Sequence, residues 1–165
     1  MKNLPFNYSS RELGIYIHYP FCKRICNYCD FFKLRFSPES EKVFLKCLTG
    51  EFKSFKDYFP DNFGIGSIYL GGGSPSIASN IFFKELGRLI SRLRLNSGFE
   101  FTVEINPEDI TDEFIDSLNL IPVNRLSLGV QSFHPEVLKF IGRGYDLSDL
   151  RKRYKNLQEI TNNIS

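Results

Sequence analysis

No stretch of the sequence approaches the ~18 consecutive apolar residues that a membrane-spanning helix needs, so no such helix is expected. Residues 1–11 lack the apolar core of a secretory signal. Cysteine is scarce, with four in the chain and three of them grouped, which leaves no set for a disulfide scaffold and points to a reducing cytoplasm. Charge of one sign is also scarce. The formal net charge is +2, and the basic runs at residues 88–94 and 151–155 fall on helical patterns and read as solvated faces. No nucleic-acid partner is therefore expected. Neither an internal repeat nor a low-complexity tract occurs. What remains is 165 residues, 42% hydrophobic and 24% charged, which is one globular domain's worth of chain with a core in which many of the 17 phenylalanines belong.

The grouped cysteines, Cys22, Cys26 and Cys29, stand at C-x3-C-x2-C spacing directly after an apolar strand pattern. Thiolates are soft ligands, suited to zinc or to iron–sulfur iron. Spacers this short let one loop wrap one metal centre. A cubane cluster takes four cysteines as a rule, so three would leave one iron open to another ligand. A tetrahedral zinc site needs a fourth donor, which His18 could supply. Three unliganded cysteines are the remaining reading.

Around that loop the periodicities alternate between strand and helix. Residues 14–19 read as a strand, with Ile15, Ile17 and Tyr19 on one face and Tyr16 and His18 on the other. Ser37-Pro38-Glu39 opens a helix. Its apolar stripe runs through Val43, Phe44, Cys47, Leu48, Phe52 and Phe55, which makes Cys47 a core residue. A loop is expected at residues 59–64 and a short strand at 67–70. A helix over 81–95 follows, closed by Asn96-Ser97-Gly98. Residues 99–105 alternate strictly and end at Asn106-Pro107. A helix opens at Thr111, a fourth strand spans 125–131, and His134-Pro135 caps a helix ending at Gly142. A last helix covers 146–160.

This order predicts an α/β fold, a parallel sheet with flanking helices. One sheet face is apolar throughout. The other carries Tyr16, His18, Ser67, Tyr69, Thr102, Glu104, Ser127 and Gln131, and is expected to line a polar cavity. Ligands of such sheets sit at the C-terminal strand ends, where the cysteine loop, residues 71–76, Glu104 and Gln131 converge. The three glycines at 71–73 let backbone approach a ligand closely. Glu104 can accept hydrogen bonds from an amine or sugar hydroxyls, and Gln131 can donate and accept. Arg143 can pair with a ligand carboxylate or favour a helix C-terminus.

These stretches carry a resemblance. Tyr16-Ile-His-Tyr-Pro-Phe-Cys, Asn27-Tyr-Cys-Asp-Phe, Tyr69-Leu-Gly-Gly-Gly-Ser-Pro-Ser, Val103-Glu-Ile-Asn-Pro-Glu and Arg125-Leu-Ser-Leu-Gly-Val-Gln-Ser-Phe resemble the radical S-adenosylmethionine (SAM) proteins. Among these they are similar to the HemW-type haem chaperones and the related oxygen-independent coproporphyrinogen III oxidases. The resemblance implies a 4Fe–4S cluster on Cys22, Cys26 and Cys29, with SAM chelated to its open iron. It implies SAM contacts from Tyr16, Tyr28, Gly72, Gly73, Ser74, Glu104, Gln131 and Arg143. Reductive cleavage of SAM would give methionine and a 5′-deoxyadenosyl radical, and in the full-length family haem or another tetrapyrrole is the implied ligand. The oxidases carry a further cysteine two residues after the third; here Phe31 stands there, which favours the HemW side. Family members commonly read Gly-Arg-x-His where this chain has Gly142-Arg143-Gly144-Tyr145.

The family barrel has six β/α units and then a C-terminal region. Residues 14–165, after a lead of residues 1–13, hold the first four units of such a partial (β/α)6 barrel. The expectation is an N-terminal portion: a truncated product, one part of a split protein with a complementary C-terminal fragment, or a piece of a longer chain. On that reading the fourth strand is a bare edge, the chain is prone to associate, and it has little SAM-cleaving activity alone. The readings carried forward are a HemW-like protein of haem handling, a coproporphyrinogen oxidase-like enzyme, and a metal-binding fragment without catalysis.

Overall fold

A computed structural model describes residues 12–58 and 63–165. Strand β1 (Glu12–Tyr19) leads through the short strands β2 (Phe21–Cys22) and β3 (Leu34–Arg35) into helix α1 (Pro38–Tyr58). Three strand–helix units follow: β4 (Gly64–Gly72) with α2 (Asn80–Ile90), β5 (Leu95–Ile105) with α3 (Asp112–Leu118), and β6 (Arg125–Leu128) with α4 (Pro135–Phe140) and α5 (Leu147–Gln158). The four long strands pair in parallel in the order β1-β4-β5-β6, so each unit lays its strand beside the last. This is the α/β parallel sheet that the alternating pattern predicts. Among the described residues no helix is long and apolar enough to cross a membrane.

The apolar strand face makes the core. Ile17, Ile68, Leu70, Phe101, Val103 and Leu126 are buried with Phe82, Phe83, Leu86 and Ile90 of α2 and Phe114 and Leu118 of α3. Each such side chain contributes about 1.5–3 kcal/mol on leaving water. Helix starts follow local chemistry. Ser79 accepts from the Phe82 amide, Thr111 from Phe114 and Asp146 from Ser148, each satisfying a donor that the first helical turn leaves free.

The structure corrects the sequence reading at several points. Cys47 is exposed rather than core. The buried side of α1 runs through Glu41, Phe44, Leu45 and Leu48, and Val43 and Cys47 lie off it. The α2 helix stops at Ile90, and Asn96-Ser97-Gly98 belongs to β5, because Leu95 already pairs with Ile65. Gly98, at φ +83° with open space around it, lies where the β4–β5 register shifts and does not close a helix. The fourth strand ends at Leu128, not at residue 131. His134 occupies the N-cap position of α4 without a side-chain bond. The bare edge expected on β6 is partly covered: Ile164 bridges Leu126 in parallel, the Leu126 amide donates to Asn163 O (2.9 Å), and the Leu128 amide donates to Ser165 O (2.7 Å). The expected lead up to residue 11, and residues 59–62 of the expected loop, lie outside the described residues.

Candidate functional site

The cysteine loop is closed at its base. β2 pairs with β3, the Leu34 amide donates to Pro20 O (2.8 Å), and the Phe36 amide donates to Cys22 O (3.0 Å). Phe21, buried edge-on against Tyr19, Phe36 and Phe44, anchors this base in the core. Inside the loop a turn carries Cys26 to Cys29, whose amide donates to Cys26 O (3.4 Å). Lys33 caps the Cys29 and Phe31 carbonyls. All three thiols are free and half-buried. His18, the residue a zinc reading would use, is committed elsewhere. Its Nε2 bonds Phe32 O (2.9 Å) and its Nδ1 bonds the Tyr16 hydroxyl (3.0 Å), which engages both ring nitrogens.

The glycine run is the end of a strand plus a turn. Gly71 and Gly72 pair with His18 and Tyr19. Gly72 has φ +115°, a conformation that favours glycine. A Cβ on Gly73 would lie 2.7 Å from Phe21 O, because its amide donates to Tyr19 O (2.7 Å) and draws the two segments together. Glu104 faces this turn: Oε1 accepts from the Tyr69 hydroxyl (2.7 Å) and Oε2 from the Gly72 amide (3.0 Å). Each oxygen keeps acceptor capacity for a ligand. Burial, the Glu104 hydrogen bond and its charge push the Tyr69 hydroxyl up to about 12. Ser74 is buried, and both its donors are spent inside the protein, the amide on Phe21 O and the hydroxyl on Asp109.

On the β6 side, Gln131 lies in a loop beyond the strand at φ 66°, and its side chain is exposed. The Tyr145 hydroxyl, at the position where a family histidine is expected, donates to the neighbouring Val130 carbonyl. The Arg143 side chain is 7% exposed; Nε donates to the Tyr28 hydroxyl (3.1 Å), and Nη1 to Asn106 Oδ1 (2.8 Å) with Glu108 at 3.4 Å. Burial works against its charge, but Tyr28, Cys26 and Glu108 offset that and hold its pKa above the ordinary value.

These pieces enclose one cavity of about 680 Å³. Cys22, Cys26, Cys29, Tyr28, Gly72, Gly73, Ser74, Glu104, Gln131 and Arg143 all line it. Tyr16 does not; it is 60% exposed and packs on Tyr69 and His18 at ring distances of 6.0 and 5.9 Å. Asn106, Glu108 and Asp109 also line the cavity and were missed in the sequence, where Asn106-Pro107 reads only as a strand end. Polar side chains placed directly after a strand, on the rim, were the available signal. Among the described residues no three His, Cys, Asp or Glu side chains converge as a single metal ion requires. The donor set itself fits an iron–sulfur core. Burial first, and then the Cys26 and Cys29 charges, push the Cys22 thiol up to about 11, against the pull of Lys33 and Arg143. A cationic core bound by all three would relieve that repulsion.

The sequence profile of the radical SAM superfamily matches residues 16–164. The chain is 42% identical over 132 residues to the heme chaperone HemW of Lactococcus lactis, covering 78% of this chain and 33% of that protein. It is 32% identical over 133 residues to the oxygen-independent coproporphyrinogen III oxidase of Paracoccus denitrificans, covering 79% and 30%. In structure it is similar to the coproporphyrinogen III oxidase HemN of Escherichia coli, described as a radical SAM enzyme. The TM-score is 0.82 at 27% identity, over 92% of this chain and 35% of that one. The chain thus spans about a third of the length of the curated relatives it matches.

Proposed function

The chain belongs to the radical SAM superfamily, and from that premise we propose that its cavity binds a 4Fe–4S cluster and SAM in the service of haem handling, as a HemW-like protein of the cytoplasm. Residues 14–165 are then part of the radical SAM core, and haem or another tetrapyrrole is the partner. Cys22, Cys26 and Cys29 would hold the cluster, and three thiolates would leave it open to SAM. When bound, the cluster and SAM supply one-electron cleavage of the sulfonium. The chain supplies position. Gly72 and Gly73 let backbone approach the ligand, and the free lone pairs of Glu104 receive its amine or hydroxyls. Arg143 faces a carboxylate, while Gln131, Ser74, Tyr16 and Tyr28 complete or shape the surroundings.

The observation that carries this reading is the shared cavity: three free thiols, the glycine turn, Glu104 and Arg143 line the same space from four different segments. Phe31 also lines it, where the oxidases have a further cysteine, and this supports the HemW side. The structural likeness to HemN supports the second reading, coproporphyrinogen oxidation. Metal analysis after anaerobic reconstitution tests the proposal. About four irons with matching sulfide per chain are expected; one zinc and no iron contradicts it and supports a metal-binding fragment. Decarboxylated product from coproporphyrinogen III would move the chain to the oxidases.

A further inference from the structure

Asp109 ends the short turn Pro107–Asp109 after β5 and is only 5% exposed. Its Oδ2 accepts from the hydroxyls of Ser74 and Ser76, each at 3.0 Å. Its Oδ1 accepts from Lys23 Nζ at 3.0 Å. Asn106 completes the set, with its amide donating to Ser76 Oγ (3.1 Å) and its side chain to Ser74 Oγ. One carboxylate therefore touches the turn after β4 and the loop between Cys22 and Cys26 at once.

The ion pair is lopsided: the Lys23 side chain is 64% exposed and Asp109 is 5% exposed. A buried carboxylate is costly unless a cation and hydrogen bonds compensate it. Holding the two serines alone would need no charge, since a neutral side-chain carbonyl accepts the same bonds. What the charge adds is the pull on Lys23, which comes from 86 residues away and directly follows Cys22 in the sequence. Ser74 belongs to the same assembly. With both its donors spent internally, it reaches the cavity only as Asp109 and Phe21 place it.

We propose that Asp109 is a positioning residue that sets the spacing between the cysteine loop and the glycine turn, coupling the two walls through Lys23. The coupling of cluster to SAM rests on the function proposed above; the coupling of the two loops does not. Lys23→Met is the main probe, because an exposed side chain can be replaced without unfolding the chain. It is compared with Lys23→Arg, Asp109→Asn and the double variant in the anaerobically reconstituted full chain.

Iron content is expected to stay at the wild-type level in Lys23→Met, with SAM bound about threefold more weakly, the scale of a part-exposed ion pair. Asp109→Asn, which keeps the serine bonds and loses the same ion pair, should weaken SAM to a similar degree, and the double variant should be no weaker than either single variant, since both remove one contact. Lys23→Arg should restore affinity. The electron paramagnetic resonance spectrum of the reduced, SAM-loaded Lys23→Met variant should move toward the SAM-free form. Wild-type affinity and spectrum in Lys23→Met, or additive losses in the double variant, would overturn the proposal. Hydrogen exchange on the metal-free chain separates this result from a failure of the SAM reading. Lys23→Met should speed exchange in both residues 22–34 and residues 73–77 while β4 and β5 stay protected. Unchanged exchange in residues 73–77 overturns the coupling, whatever the chain does with SAM.

Discussion

The glycine wall and the cysteine wall of the cavity are held in opposite ways. Ser74 and Ser76 are each 4% exposed, and the turn that carries them is tied by backbone bonds to Tyr19 and Phe21 and by side-chain bonds to Asp109 and Asn106. Across from it, Lys23, Arg24, Ile25, Asn27, Tyr28 and Asp30 are exposed. That loop is fixed at its base by β2 and β3, at its rim by His18, and along its length by side chains reaching to Asp109, Gly142 O and Arg143. The glycine wall is held by buried bonds, and the cysteine wall by its clasp and by side chains that are themselves exposed.

The largest expected effect breaks the weaker wall. Cys22→Ala, Cys26→Ala and Cys29→Ala should each abolish iron uptake, since among the described residues the remaining thiol, Cys47, is on α1 and does not line the cavity; iron analysis after reconstitution checks this. Next is the rigid wall. Gly73→Ala places a Cβ against Phe21 O and the Pro20 carbonyl, backbone atoms that cannot swing aside. It should cost roughly 1–3 kcal/mol in thermal or denaturant unfolding of the metal-free chain; an unchanged melting temperature would show that this wall is looser than described. Glu104→Ala should leave iron content alone and weaken SAM about tenfold, by equilibrium binding. Gln131→Ala should do the same to a smaller degree, because its side chain is exposed. Smallest is Cys47→Ala, expected to stay within about 0.5 kcal/mol of wild type with full iron, as befits an exposed helix position.

Much of the rigid wall was legible because it is local. The glycine run, the strict alternation ending at Glu104, and Thr111 and Asp146 at helix starts each state their structure in a few residues. What was not legible depends on distant partners. Cys47 matched a helical stripe, but Glu41 takes the buried place on α1, where it accepts from the Tyr19 hydroxyl and the Ser79 amide. Asn96-Ser97-Gly98 has the composition of a helix stop, yet pairing of Leu95 with Ile65 starts β5 before it. Asp109 looked like one more acid after a proline, and only the fold brings Ser74, Ser76 and Lys23 to it. The cysteine spacing marks the loop but not the β2–β3 clasp beneath it, because Phe21–Cys22 and Leu34–Arg35 are too short to show a period.

The most direct test of the central claim, that both walls serve one site, is a SAM titration of the reduced, reconstituted chain followed by electron paramagnetic resonance. If Cys22, Cys26 and Cys29 hold a cluster whose open iron faces the glycine turn, the spectrum should change saturably with SAM, and Glu104→Ala should shift that titration to about tenfold higher concentration. A cluster signal that SAM never perturbs would mean that the two walls do not share a ligand.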